Sequence, residues 1–168
     1  MNKPWLRSYE KGILSHLDYP NITLPELLKQ VSTKYADKTA MVYLDHFWSY
    51  QELNQLVSQM ANLLISIQVK PGDRVGIHLP NSPQFIITYF GLLRAGAIAV
   101  PINPSSVGDD FNFIVNNSGL KVLFTTPHSL THLKLDMNAG IKVFVTDIST
   151  IFGPDQNYPF DDPARATR

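Results

Sequence analysis

His128 and His132 stand four residues apart, a spacing at which two imidazoles on one helix face can share a metal ion. No third ligand lies near them in sequence, so a solvated helix face is the plainer reading. His78 falls in an apolar run beside an expected strand end, where a core or rim histidine is the simpler assignment. Asp109-Asp110 and Asp161-Asp162 have the composition of an acid/base couple. The first pair sits near an expected helix start, where negative charge is simply stabilising. The second lies in a polar tail. Thr125-Thr126 comes nearest to a phosphate-binding loop, but without glycines or a lysine it offers neither a nest of amides nor a counter-charge. With no cysteine in the chain, disulfides, thiolate zinc sites and thiol catalysis are excluded. One segment keeps a functional reading: Leu79-Pro80-Asn81-Ser82, between an expected strand and an expected helix. Ligands collect beyond the carboxyl ends of strands in open α/β sheets, and helix amides favour anions. The competing reading makes Asn81 a turn residue and Ser82 an N-cap.

These residues belong to a chain of 168 amino acids, the size of one domain, with 44% hydrophobic and 17% charged residues. Fourteen basic residues balance fourteen acidic ones, so no global field draws the chain to nucleic acid or an acidic membrane. The N-terminus lacks a basic segment followed by an apolar one, and so shows no secretory signal. The most apolar stretch, Phe85 to Leu93, is far too short to span a bilayer. The expectation is a cytoplasmic protein without a transmembrane segment.

The elements that must position Asn81 and Ser82 are legible in period and punctuation. Residues 1–20 read as an irregular arm, in which Trp5, Tyr9 and Tyr19 either tack the arm to its own core or mark a partner contact. Thr23 and Glu26 form a capping box, followed by a helical apolar stripe at 24, 27, 28, 31 and 35. Lys38 to Leu44 reads as a strand, turned at Asp45-His46 into a short antiparallel partner ending near Trp48. Ser49 and Glu52 make a second capping box ahead of a long helix. Strands follow at 74–79, 97–102, 121–125 and 142–146, alternating with helices at 82–95, 106–117 and 128–137. Ser82 caps the first of these helices, with Pro83 at its first position. The run 97–102 is apolar and β-branched at three positions, as expected of a strand covered on both faces. Pro101 and Pro104 prevent its continuing as a central ladder member. This alternation predicts an α/β fold: a mostly parallel sheet with helices on both faces, joined by right-handed crossovers, plus a short N-terminal β-hairpin. Residues 21–147 form the α/β unit, and 148–168 a polar Pro/Asp tail or linker.

Four stretches together carry a resemblance. Residues 93–104, Leu-Arg-Ala-Gly-Ala-Ile-Ala-Val-Pro-Ile-Asn-Pro, look like the second core motif of the AMP-forming acyl-CoA synthetases and related adenylating enzymes. Trp48-Ser49-Tyr50-Gln51-Glu52-Leu53 is similar to the first. Lys70-Pro71-Gly72-Asp73-Arg74-Val75-Gly76-Ile77 and Leu79-Pro80-Asn81-Ser82-Pro83-Gln84-Phe85 match the sequence usual between the two. The opening, with Pro4-Trp5-Leu6 and then Thr23-Leu24-Pro25-Glu26-Leu27-Leu28, resembles medium- and long-chain fatty acyl-CoA ligases. The pattern breaks after Asn103-Pro104, where Ser105-Ser106-Val107-Gly108 replaces the usual continuation. Gly108 weakens that helix start by up to about 1 kcal/mol relative to Ala.

The resemblance implies the N-terminal subdomain of an enzyme that joins a fatty acid to CoA through an acyl-adenylate, using ATP, Mg²⁺ and CoA. It also implies that Pro80, Asn81 and Ser82 face the second half of the large domain and line part of an acyl or pantetheine channel. The family's phosphate loop, Mg²⁺-binding motif, ribose-binding Gly-Asp and catalytic lysine have no counterpart in this chain. The expectation is therefore a scaffold that binds no cofactor and catalyses nothing by itself. Its partners would be the missing downstream half and, through exposed apolar surface or the arm, a second copy. The alternative is a free-standing binding or interaction module derived from the same fold. A Rossmann-type dinucleotide binder is disfavoured, because Pro-Asn-Ser-Pro stands where Gly-x-Gly-x-x-Gly would be needed.

Overall fold

The computed structural model describes residues 3–133 and 140–146. The arm carries a 3-10 turn at Pro4–Ser8 and a second turn closed by the Ile13 N–H donating to Glu10 O at 3.1 Å. Helix α1, Leu24–Lys34, opens with the predicted box: Thr23 N–H and Oγ1 donate to Glu26 Oε2 at 2.7 and 2.8 Å. Strands β1, Thr39–Tyr43, and β2, His46–Ser49, pair antiparallel. The turn lies at Leu44 and Asp45, both with positive φ, and His46 already belongs to β2. This moves the expected turn one residue back, since two left-handed residues match the strand twist. Helix α2, Tyr50–Ser66, starts from the Ser49–Glu52 box and buries Leu53, Val57, Met60, Ala61 and Leu64 along one side.

The second sheet is wholly parallel, in the order β4-β3-β5-β6, with β3 at Arg74–His78, β4 at Ile98–Pro101, β5 at Val122–Thr125 and β6 at Lys142–Val145. Helices α3, Pro83–Arg94, α4, Gly108–Ser118, and α5, Pro127–His132, connect the strands. Side-chain alternation sorts the core into two layers. Val75, Ile77, Val122, Phe124 and Phe144 meet α2 and α3 on one face. Leu123 and Val143 meet Phe111, Val115 and Leu133 on the other. Helices thus cover both faces of a parallel sheet, as the alternation of elements predicted.

Two expectations are revised and one is refined. Strand β4 is an edge of this sheet, and both of its faces are contacted: Ala97 and Ala99 pack in the α2/α3 layer and Val100 and Ile102 in the α4 layer, while Ile98 is 46% exposed. Helix α4 begins two residues late. Asn103 Oδ1 takes the Ser105 N–H at 2.9 Å and Asn103 O the Ser106 N–H at 2.8 Å, which uses those residues in a turn. The stripe of α1 is mostly uncovered: Leu28 is buried, while Leu24, Leu27 and Tyr35 are exposed.

Helix α3 keeps no exposed residue, and it is riveted to α2. Arg94 donates from Nη1 to Asn54 O at 3.1 Å and to Ser58 Oγ at 2.6 Å, and from Nη2 to Asn54 Oδ1 at 2.7 Å. At the amino-terminal end of the strands, Lys121 Nζ donates to Asp73 Oδ1 at 2.7 Å, and Asp73 Oδ2 accepts the Lys70 N–H. These contacts hold the Asp73 carboxyl below its usual range. The tail from 147 onward, with Asp161-Asp162, and the rest of the expected 128–137 helix beyond Leu133 lie outside the described residues. Among the described residues, no helix is long and apolar enough to cross a membrane.

Candidate functional site

Strand β3 ends at His78, and Leu79 and Pro80 carry the chain to α3. Ser82 caps that helix from an extended backbone, its Oγ accepting the Phe85 N–H at 3.4 Å. Next to this helix start, a groove of about 280 Å³ is lined by Asn81, Ser82, Pro83, Phe85 and Ile86 on one side. Met41, Val42 and Tyr43 of β1 form the other. Asn81 and Ser82 therefore share a concavity. Pro80 is half-buried and outside its lining. The hairpin residues were missed from sequence. Their alternation marks a strand, but nothing local says which helix the strand will face.

The groove is apolar and carries no ionisable acid or base apart from the Tyr43 phenol. Two of the first three residues of α3 offer no amide to an anion, because Pro83 lacks an N–H and Phe85 gives its own to Ser82. The site thus fits neither a triphosphate nor a divalent cation. It suits an uncharged or aliphatic portion of a ligand. A second, larger depression is a shallow strip on the polar surface of α1, lined by Glu26, Lys29, Gln30, Thr33 and Lys34, and has no convergent geometry.

The other candidates fall apart on inspection. His128 and His132 are exposed, with ring centroids 5.0 Å apart. Among the described residues, no group of three or more His, Asp or Glu converges to hold a metal. His78 is a fully buried core residue, its Nδ1 3.2 Å from Thr125 Oγ1 and its ring edge-on to Phe111 at 5.3 Å. Burial pushes its pKa down, partly opposed by the backbone of Ser106 and Asn103. Asp109 and Asp110 stand in the first turn of α4. Thr126 is buried and caps α5 through the Ser129 N–H at 3.1 Å. In the arm, Trp5, Tyr9 and Tyr19 are exposed, so the reading in which they tack the arm to its own core fails.

The profile of the AMP-binding enzyme family matches residues 28–163. The crotonobetaine/carnitine–CoA ligase of Salmonella typhimurium is 37% identical over 108 residues, covering 61% of this chain. The chain spans 21% of the length of that relative. Among solved structures, a fatty acyl CoA synthetase of Mycobacterium tuberculosis superposes with a TM-score of 0.66 at 27% identity, over 72% of this chain and 26% of that one. The N-terminal subdomain of NpsA from Klebsiella oxytoca superposes at 0.64 with 23% identity, over 71% of this chain and 30% of that one. The last likeness concerns the fold.

Proposed function

The chain belongs to the AMP-binding enzyme family, and from that premise we propose that it is the N-terminal α/β layer of an AMP-forming acyl-CoA ligase acting on fatty acids in the cytoplasm. The observation that carries this reading is the family match over most of the chain, together with a ligase 37% identical to it. ATP, Mg²⁺ and CoA would be engaged by residues outside this chain. Nothing at the groove can neutralise a triphosphate, and Lys121, whose position at the start of β5 is at the opposite end of the sheet, is occupied by Asp73. The layer's contribution is mechanical. It packs against the downstream half, and with Pro80, Asn81 and Ser82 it lines one wall of an acyl or pantetheine channel. By itself it does not catalyse adenylation.

Two experiments test this. A chimera in which this chain replaces the matching segment of the Salmonella ligase should retain acid-dependent exchange of pyrophosphate into ATP. A folded chimera without exchange overturns the assignment. Calorimetry of the 168-residue chain with MgATP should show no saturable binding. Saturable binding would put the nucleotide site inside this chain and favour an independent binding module.

A further inference from the structure

We infer that the seam between α2 and α3 holds one internal water molecule, bound by Gln84 and Thr88. Both side chains are fully buried, and neither the amide oxygen and nitrogen of Gln84 nor the hydroxyl of Thr88 has a hydrogen-bond partner. Buried polar groups are nearly always satisfied by protein or by ordered water. Elsewhere in this molecule, a hydroxyl inside a helix returns to the carbonyl one turn back. Ser32 Oγ donates to Leu28 O at 2.7 Å, Thr33 Oγ1 to Lys29 O at 3.0 Å and Ser58 Oγ to Asn54 O at 2.8 Å. Thr88 does not take that local option.

The placement of the pair suits a bridging ligand. Residues four apart on a helix stand about 5–6 Å apart at Cβ. That places the Gln84 amide and the Thr88 hydroxyl on one side of the helix, where they can share a partner. The same stripe of α3 continues to Gly91, where an added Cβ would lie 2.3 Å from Met60 Cγ, so the stripe faces α2 and is closed tightly on that side. Arg94 clamps the helices one turn beyond. The ligand must be neutral, because Gln84 and Thr88 carry no charge. It must also both donate and accept, because the amide offers both roles and the hydroxyl can take either. A molecule the size of water meets these demands. This inference does not depend on the ligase reading.

Oxygen-17 relaxation dispersion on the 168-residue chain detects long-lived internal water. The expected result is a long-lived molecule in the wild-type protein that is missing from the folded Gln84→Met/Thr88→Val variant, and from Thr88→Val alone. Urea unfolding gives a second reading. Each single variant should lower the midpoint by stripping one leg from the water, and the double variant should recover it. No long-lived water in the wild type overturns the inference. So does a dispersion unchanged in the double variant. Single variants that each raise the midpoint additively would mean that the polar atoms are simply unsatisfied, and would overturn it as well.

Discussion

His78 is charged at a cost, and its protonation should be visible in the pH dependence of stability. Its pKa is lowered in the folded state by burial against Phe111 and β5, so the unfolded chain binds the proton first as pH falls. The contribution is intact above the ordinary value of 6.5 and is lost progressively below it. Urea midpoints measured at pH 7.5 and 5.5 should therefore drop less in His78→Asn than in the wild type. An equal drop would mean that other groups carry the acid sensitivity. Arg94 makes the second residue-scale case. Its fork serves three bonds to Asn54 and Ser58, which a lysine ammonium cannot reproduce in one plane. Arg94→Ala should cost about 2 kcal/mol of unfolding free energy, and Arg94→Lys should recover only part of it.

Elements carry their own tests. The capping box at Ser49 satisfies both its own N–H and that of Glu52, so Ser49→Ala should cost about 1 kcal/mol in chemical denaturation. Gly91→Ala would ordinarily favour a helix by about 1 kcal/mol. Here the added carbon meets Met60 Cγ at 2.3 Å and Cβ at 2.7 Å, near the stem of that side chain, and the substitution should destabilise instead. A Gly91→Ala protein more stable than wild type would show that α2 and α3 can part cheaply. Both capping boxes, the Ser82 cap and the Gly119 left-handed stop were legible from short-range spacing, because caps are settled within one turn. The late start of α4 was less so. Asn103 competes for the Ser105 and Ser106 amides through a turn that propensity does not rank.

At the scale of the molecule, apolar surface remains open in several places. Val42 and Phe47 pair across the hairpin with Phe47 66% exposed, Phe113 stands out from α4, and the arm exposes Trp5, Leu14 and Tyr19. Exposed patches of this kind mark surfaces that pack against something. Sedimentation should show association that rises with protein concentration and weakens in Phe47→Ser. A strictly monomeric species at high concentration would argue that these side chains are tolerated singly.

The order of elements, their ends and the layered α/β plan were set by local chemistry. Period, caps, Gly and Pro act within a few residues, and right-handed crossovers leave few ways to assemble the result. Tertiary structure alone decided which face of β1 met α3 to make the groove around Asn81 and Ser82, and whether a polar residue such as His78 or Gln84 found a partner. Those outcomes depend on groups far apart in sequence, whose contacts exist only once the chain has closed on itself.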